Sequence, residues 1–184
     1  MVRPCNNCPF RLIDKYYCAK SIGSTKSKAL IVINNMTFKE KGNLYENEEV
    51  LMLNEIYKRA TSSIFDIWDS YRITAFIKCA PNDGYHIDDS IRNHCIPYIF
   101  AEINKFKFTR VVTFGTVSEY LLGAVNKTKD NIYFDGRIAW FAIYRVNSLN
   151  YSSELIRATT VNRLTNFFRA NASNDFRGFN LLNI

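Results

Sequence analysis

Two pairs of cysteines stand out as residues that can do chemistry. Cys5-Asn6-Asn7-Cys8 brings two thiols together within one short polar turn, and Cys79 and Cys95 follow with fifteen residues between them. Thiolates are soft ligands, suited to zinc or to an iron-sulfur cluster. A zinc ribbon usually presents two close pairs. Here the second pair is split, which leans toward an iron-sulfur cluster and keeps zinc as the structural alternative. No charged start followed by an apolar run marks a signal peptide, so the thiols are expected to stay reduced in an intracellular, cytoplasmic protein. Cys18 is left outside the set, and His94 beside Cys95 reads as a packed or solvent-facing histidine.

These cysteines need elements to position them. Ala29 to Ile33 is a continuous β-rich run and predicts a buried strand. Glu46 to Ile64 repeats Val50, Leu53, Ile56, Tyr57, Ala60 and Ile64 at helical spacing behind an acidic first turn. Arg72 to Ile77 predicts a second strand ending just before Cys79. Asp88 or Asp89 then caps a helix carrying Ile91, Cys95, Tyr98, Ile99 and Ile103, with Pro97 a point of possible kinking. Arg110 to Phe114 predicts a third strand, Thr116 to Leu122 a short helix, Ile138 to Tyr144 a fourth strand, and about Ser152 to Ala170 a last helix.

Strands alternating with helices predict a three-layer α/β sandwich around a central, mostly parallel four-stranded sheet, with function at the carboxyl ends of the strands. Those ends lie near Asn34, Lys78, Gly115 and Arg145. The 184 residues, 47% hydrophobic and 15% aromatic, fit one domain over residues 1–170, followed by an Asn-rich tail, 171–184, as a candidate docking segment. The longest apolar stretches are too short to span a bilayer, so no membrane partner is expected. A formal charge of +7 favours solubility and, more sharply, contact with phosphates.

The segment Thr74-Ala75-Phe76-Ile77-Lys78-Cys79-Ala80-Pro81 resembles the T-N-V-V-K-C-x-P strand end of the iron-sulfur (type 4) uracil-DNA glycosylases. Cys95-Ile96-Pro97-Tyr98 resembles the helix bearing that family's fourth ligand, and Arg110 to Gly115 with Tyr120 to Gly123 resembles the strand, glycine and helix that follow. The resemblance runs from Cys5 to about Ala170. It implies a uracil-DNA glycosylase-like fold, a [4Fe-4S] cluster on Cys5, Cys8, Cys79 and Cys95 near the DNA surface, and a pocket for an extruded base.

The pocket positions depart from that family. Asn34 stands in a loop where the family has a carboxylate, and Ala75 falls where its uracil-reading asparagine stands. Asn147 and Ser148 fall where its histidine-bearing loop lies. Tyr45 is placed like the base-stacking aromatic, with packing over the first helix as the plainer reading. Each missing transition-state interaction costs orders of magnitude in rate. The leading expectation is therefore a non-catalytic, glycosylase-like DNA-binding protein, an accessory or processivity subunit for a DNA polymerase or another replication protein. Lys78, Arg92, Lys127, Lys129, Arg145 and Ser148 are its candidate nucleic-acid contacts. Two alternatives stay open: an active DNA glycosylase for uracil or another modified base, and an iron-sulfur structural or redox module.

Overall fold

In the computed structural model, residues 16–36, 38–81, 86–122, 132–143, 153–179 and 181–183 are described. The strand predicted at Ala29 runs on as β3 (Ala29–Asn35). Its alternate side chains divide between two cores: Ala29, Ile31 and Ile33 enter one, while Leu30 and Val32 enter the other. A strand buried on both faces cannot show hydrophobic alternation, which explains its unbroken apolar run. β6 (Arg110–Phe114) and β8 (Ala139–Ile143) behave in the same way, and β4 (Arg72–Ile77) is likewise buried on both faces, with Ile73 and Ala75 in the first core and Phe76 and Ile77 in the second. β4, β3, β6 and β8 are neighbours in that order and pair in parallel.

The expected four strands are thus present and parallel, but they form only the middle of a seven-stranded mixed sheet, ordered β2-β4-β3-β6-β8-β7-β9. β2 (Ile22–Gly23) joins one side antiparallel to β4. β7 (Ile132–Phe134) pairs antiparallel with β8, and β9 (Leu181–Asn183) pairs parallel with β7. A separate two-stranded ribbon joins β1 (Tyr16–Cys18) to β5 (Cys79–Pro81).

Helices cover both faces. α1 (Glu48–Thr61), the short α2 (Ile67–Ser70) and α5 (Glu154–Ser173) close the first core, built on Leu53, Tyr57, Ile67, Phe167 and Phe168. α3 (Asp89–Phe106) and α4 (Thr116–Leu122) close the second, with Ile91, Cys95, Ile99, Val117 and Leu121. Asn47 caps α1 by accepting from the Val50 amide at 3.1 Å, and Asp88 caps α3 by accepting from the Ile91 amide at 3.0 Å. α3 continues through Pro97. None of the described helices is long and apolar enough to cross a membrane.

The boundary expected at residue 170 falls inside α5, and the residues beyond it pack on their own domain. Phe176 and Phe179 each lie 5.7 Å from Phe141, ring to ring, and Arg110 sits over Phe176 at 4.5 Å. Arg110 also donates to Asn171 at 2.7 Å and Asn174 at 2.6 Å. The next residues supply β9. At the other edge, Gly23 adopts φ +86°, and a Cβ there would lie 2.1 Å from the Tyr71 carbonyl oxygen. Only glycine fits so close to that backbone.

Candidate metal centre and nucleic-acid interface

β4 delivers Cys79 to the start of β5, where it is 3% exposed, and the second turn of α3 brings up Cys95, also 3% exposed. Both enter the core between the sheet and α3, beside Ile77, Ile91 and Ile99. The β1–β5 ribbon pairs Cys18 with Cys79, and their sulfurs approach to 3.1 Å. The hydrogen bond with Cys79 draws the Cys18 thiol down to about 7, against a smaller upward push from burial. His94, next to Cys95, has a buried Nε2 that finds no hydrogen-bond partner among the described residues.

Cys5 and Cys8 lie outside the described residues. Among the described residues, no group of three or more histidine, cysteine, aspartate or glutamate side chains is placed to hold a metal ion. Two buried thiols in one apolar wall have the donor chemistry of a soft-metal site. Among the described residues Cys79 and Cys95 are thus a pair of buried thiols, fewer donors than a metal or cluster needs.

Lys78 requires a correction. Expected to face phosphate, it instead runs inward, with its side chain 16% exposed, and pairs with Glu102 Oε2 at 3.2 Å. It donates to Ser21 Oγ at 3.3 Å and to the Thr74 hydroxyl. Arg72 Nε reaches Glu102 Oε1 at 3.1 Å, and Ser21 donates to Oε2 at 2.7 Å. Burial pushes the Lys78 ammonium below the ordinary lysine range, while the nearby Glu102 charge opposes that shift. Burial would raise the Glu102 carboxyl, but the Lys78 charge and the hydrogen bonds from Ser21, Arg72 and Lys78 hold it below its usual value. This network locks the end of β4 to α3, so it positions Cys79 and offers no charge to solvent.

Arg92 lies in the first turn of α3, paired with Asp89 at 2.7 Å and stacked over Tyr120 at 5.4 Å. Tyr120 donates in turn to Asp89. Arg92, Thr116, Glu119 and Tyr120 line an open cavity of about 300 Å³. Lys127, Lys129, Arg145, Asn147 and Ser148 lie outside the described residues.

Parallel pairing of β3 with β4 sets Ile33 opposite Ala75, and both enter the first core, whereas Asn34, expected in a loop, lies inside β3 and by alternation on the other face of the sheet from Ala75. Asn34 is half-buried. Ala75 is 0% exposed and lies in one apolar cluster with Ile33, Met36, Leu44, Phe114 and Ile143. Tyr45 is 44% exposed and meets Trp68 edge to face at 5.2 Å, so one side of its ring is already engaged.

A basic surface was missed in the sequence. Lys28 accepts backbone hydrogen bonds from Thr109 and Arg110, and Thr109 accepts from Ala139, so the loops at the amino ends of β3, β6 and β8 converge. Lys26, Lys28, Lys105, Lys107 and Arg137 are exposed there. Arg137 donates to Asn104 at 2.9 Å, and Lys105 lies over the Phe106 ring at 5.1 Å. Asp135, the acidic neighbour, is committed to the Trp140 indole and to the Arg137 and Ile138 amides. Among the described residues none of the five cations forms an ion pair. Their convergence from separate segments leaves no charge run in the sequence. No protein-family model matches the chain, and no curated protein matches it.

Proposed function

We propose that the chain is a non-catalytic, uracil-DNA glycosylase-like protein that binds DNA, with a [4Fe-4S] cluster on Cys5, Cys8, Cys79 and Cys95, and that it serves as an accessory subunit to a DNA polymerase or another replication protein. The observation that carries the reading is Ala75. At the position where a base-reading amide would stand, a methyl group without donor or acceptor sits out of reach of solvent, among Ile33, Met36, Leu44 and Phe114. Excision needs an open pocket and hydrogen bonds to the base edge, and neither is available at this residue. The charge of +7 and the exposed cations at the amino ends of the central strands support DNA as the partner.

The test pairs binding with excision on one preparation. Purified full-length protein, with iron and zinc measured, is titrated with single- and double-stranded DNA over a salt series and incubated with uracil-containing strands. The expected result is salt-dependent binding without base release. Changing Lys26, Lys28, Lys105 and Lys107 to glutamine should flatten the log-log salt dependence by about 0.9 for each duplex phosphate no longer neutralised. Base release abolished by a substitution at Asn34 or Asn147 would overturn the non-catalytic reading. Binding indifferent to salt and to the lysines would overturn the DNA reading.

A further inference from the structure

We infer that Cys18 and Cys79 form an oxidisable pair that closes into a cross-strand disulfide, a modification site separate from the proposed cluster. The geometry comes from the backbone. β1 and β5 are antiparallel with Cys18 opposite Cys79, and the next pair inward is joined by the Ala19 amide donating to the Lys78 carbonyl at 2.7 Å. In an antiparallel ladder, hydrogen-bonded and non-hydrogen-bonded pairs alternate, so Cys18 and Cys79 occupy a non-hydrogen-bonded pair. Such pairs set their Cα atoms about 4.5 Å apart with side chains leaning together, which lies within the range a disulfide bridges. The sulfurs are already 3.1 Å apart, and the bond needs about 1 Å of further approach.

Exposure sets the order of the steps. Cys18 is open to solvent, whereas Cys79 is 3% exposed. An oxidant as large as oxidised glutathione therefore reaches Cys18 first. The Cys18 thiolate attacks one sulfur of that disulfide, forming a mixed disulfide and releasing one reduced glutathione. The Cys79 thiolate then attacks the Cys18 sulfur and displaces the second. Two protein thiols are oxidised, one glutathione disulfide is reduced to two thiols, and the protons leave with the glutathione. If Cys79 ligates the proposed cluster, the same bond withdraws it, so disulfide and cluster exclude one another at that sulfur.

The experiment treats the full-length chain with oxidised glutathione, both as purified and after a chelator, with iron and zinc measured in each sample. Thiols are counted, and non-reduced peptides are mapped by mass. The expected result in the chelator-treated sample is loss of two thiols per chain and a linked peptide joining Cys18 to Cys79. In Cys18→Ser, checked for native circular dichroism, Cys79 should be oxidised at least tenfold more slowly. Arrest at a glutathione adduct on Cys18 would overturn the inference, as would linkage of Cys79 to Cys5, Cys8 or Cys95. So would unchanged Cys79 oxidation in the folded variant. Metal content bears only on the cluster, so the two readings fail separately.

Discussion

Glu102 is the sharpest place to perturb the support of Cys79. Its carboxylate accepts from Ser21, Thr74, Arg72 and Lys78, with the Arg72 and Lys78 side chains 17% and 16% exposed and its own 11%. In Glu102→Ala two cations remain close together without the charge between them. Removing one partner of a buried pair costs about 3–5 kcal/mol. At about 2–4 °C per kcal/mol for a domain of this size, Tm should fall by about 6–20 °C at neutral pH. Arg72 keeps its bond to the Gly23 carbonyl at 3.1 Å and its place over Phe106, so Lys78 carries more of the penalty. Glu102→Leu combined with Lys78→Met should accordingly recover part of the loss, since apolar replacement of both partners is often near neutral.

The pH dependence has a definite sign. A carboxyl held below its ordinary value contributes stability that is complete above the unfolded-state pKa and is lost as pH falls through the folded one. The Tm difference between the parent and Glu102→Ala should therefore be largest near neutrality and shrink on acidification below about pH 4.3, the usual glutamate value. Thermal unfolding followed by circular dichroism at several pH values measures it. A fall of under about 2 °C at neutral pH, or a difference that widens in acid, would refute this account of the network.

Further outcomes follow from other contacts. Gly23→Ala places a methyl 2.1 Å from the Tyr71 carbonyl and 2.8 Å from that of Trp68, and it should destabilise by about 3 kcal/mol or more in urea unfolding. Deletion after Asn174 removes Phe176, Phe179 and β9. The truncated chain should lose at least about 3 kcal/mol, visible as an early and broadened melt, whereas an unchanged melt would show that the segment is dispensable for the fold.

The four central strands were readable because burial on both faces leaves continuous apolar runs, as in Ala29 to Ile33. The outer strands were not, since Ile22–Gly23 and Leu181–Asn183 are too short to show any period. The tail 171–184 reads as a docking segment because its place against Phe141 depends on α5 turning at Asn174, which no local pattern marks. Lys78 was misread for a related reason: a buried lysine depends on its partner, and Glu102 lies 24 residues away on another element. Cys18 meets Cys79 only through strand pairing across 61 residues, a relation no local spacing encodes. Asn34 was expected in a loop because the apolar run stops at Ile33, whereas backbone pairing carries β3 on to Asn35 and takes Asn34 into the strand.

The outer strands also determine how one molecule meets another. A sheet edge is a template for backbone pairing, and its danger grows with the length of flat, unpaired strand it displays. β2 displays two residues, pinned by Gly23 against the carbonyls of Tyr71 and Trp68, and β9 displays three. The long, sticky strands β3, β6 and β8 are thereby kept inside the molecule. Losing either short border would expose β4 or β7 as a nucleus for sheet-to-sheet association, so the first sign of damage at these edges should be aggregation at concentrations the intact chain tolerates.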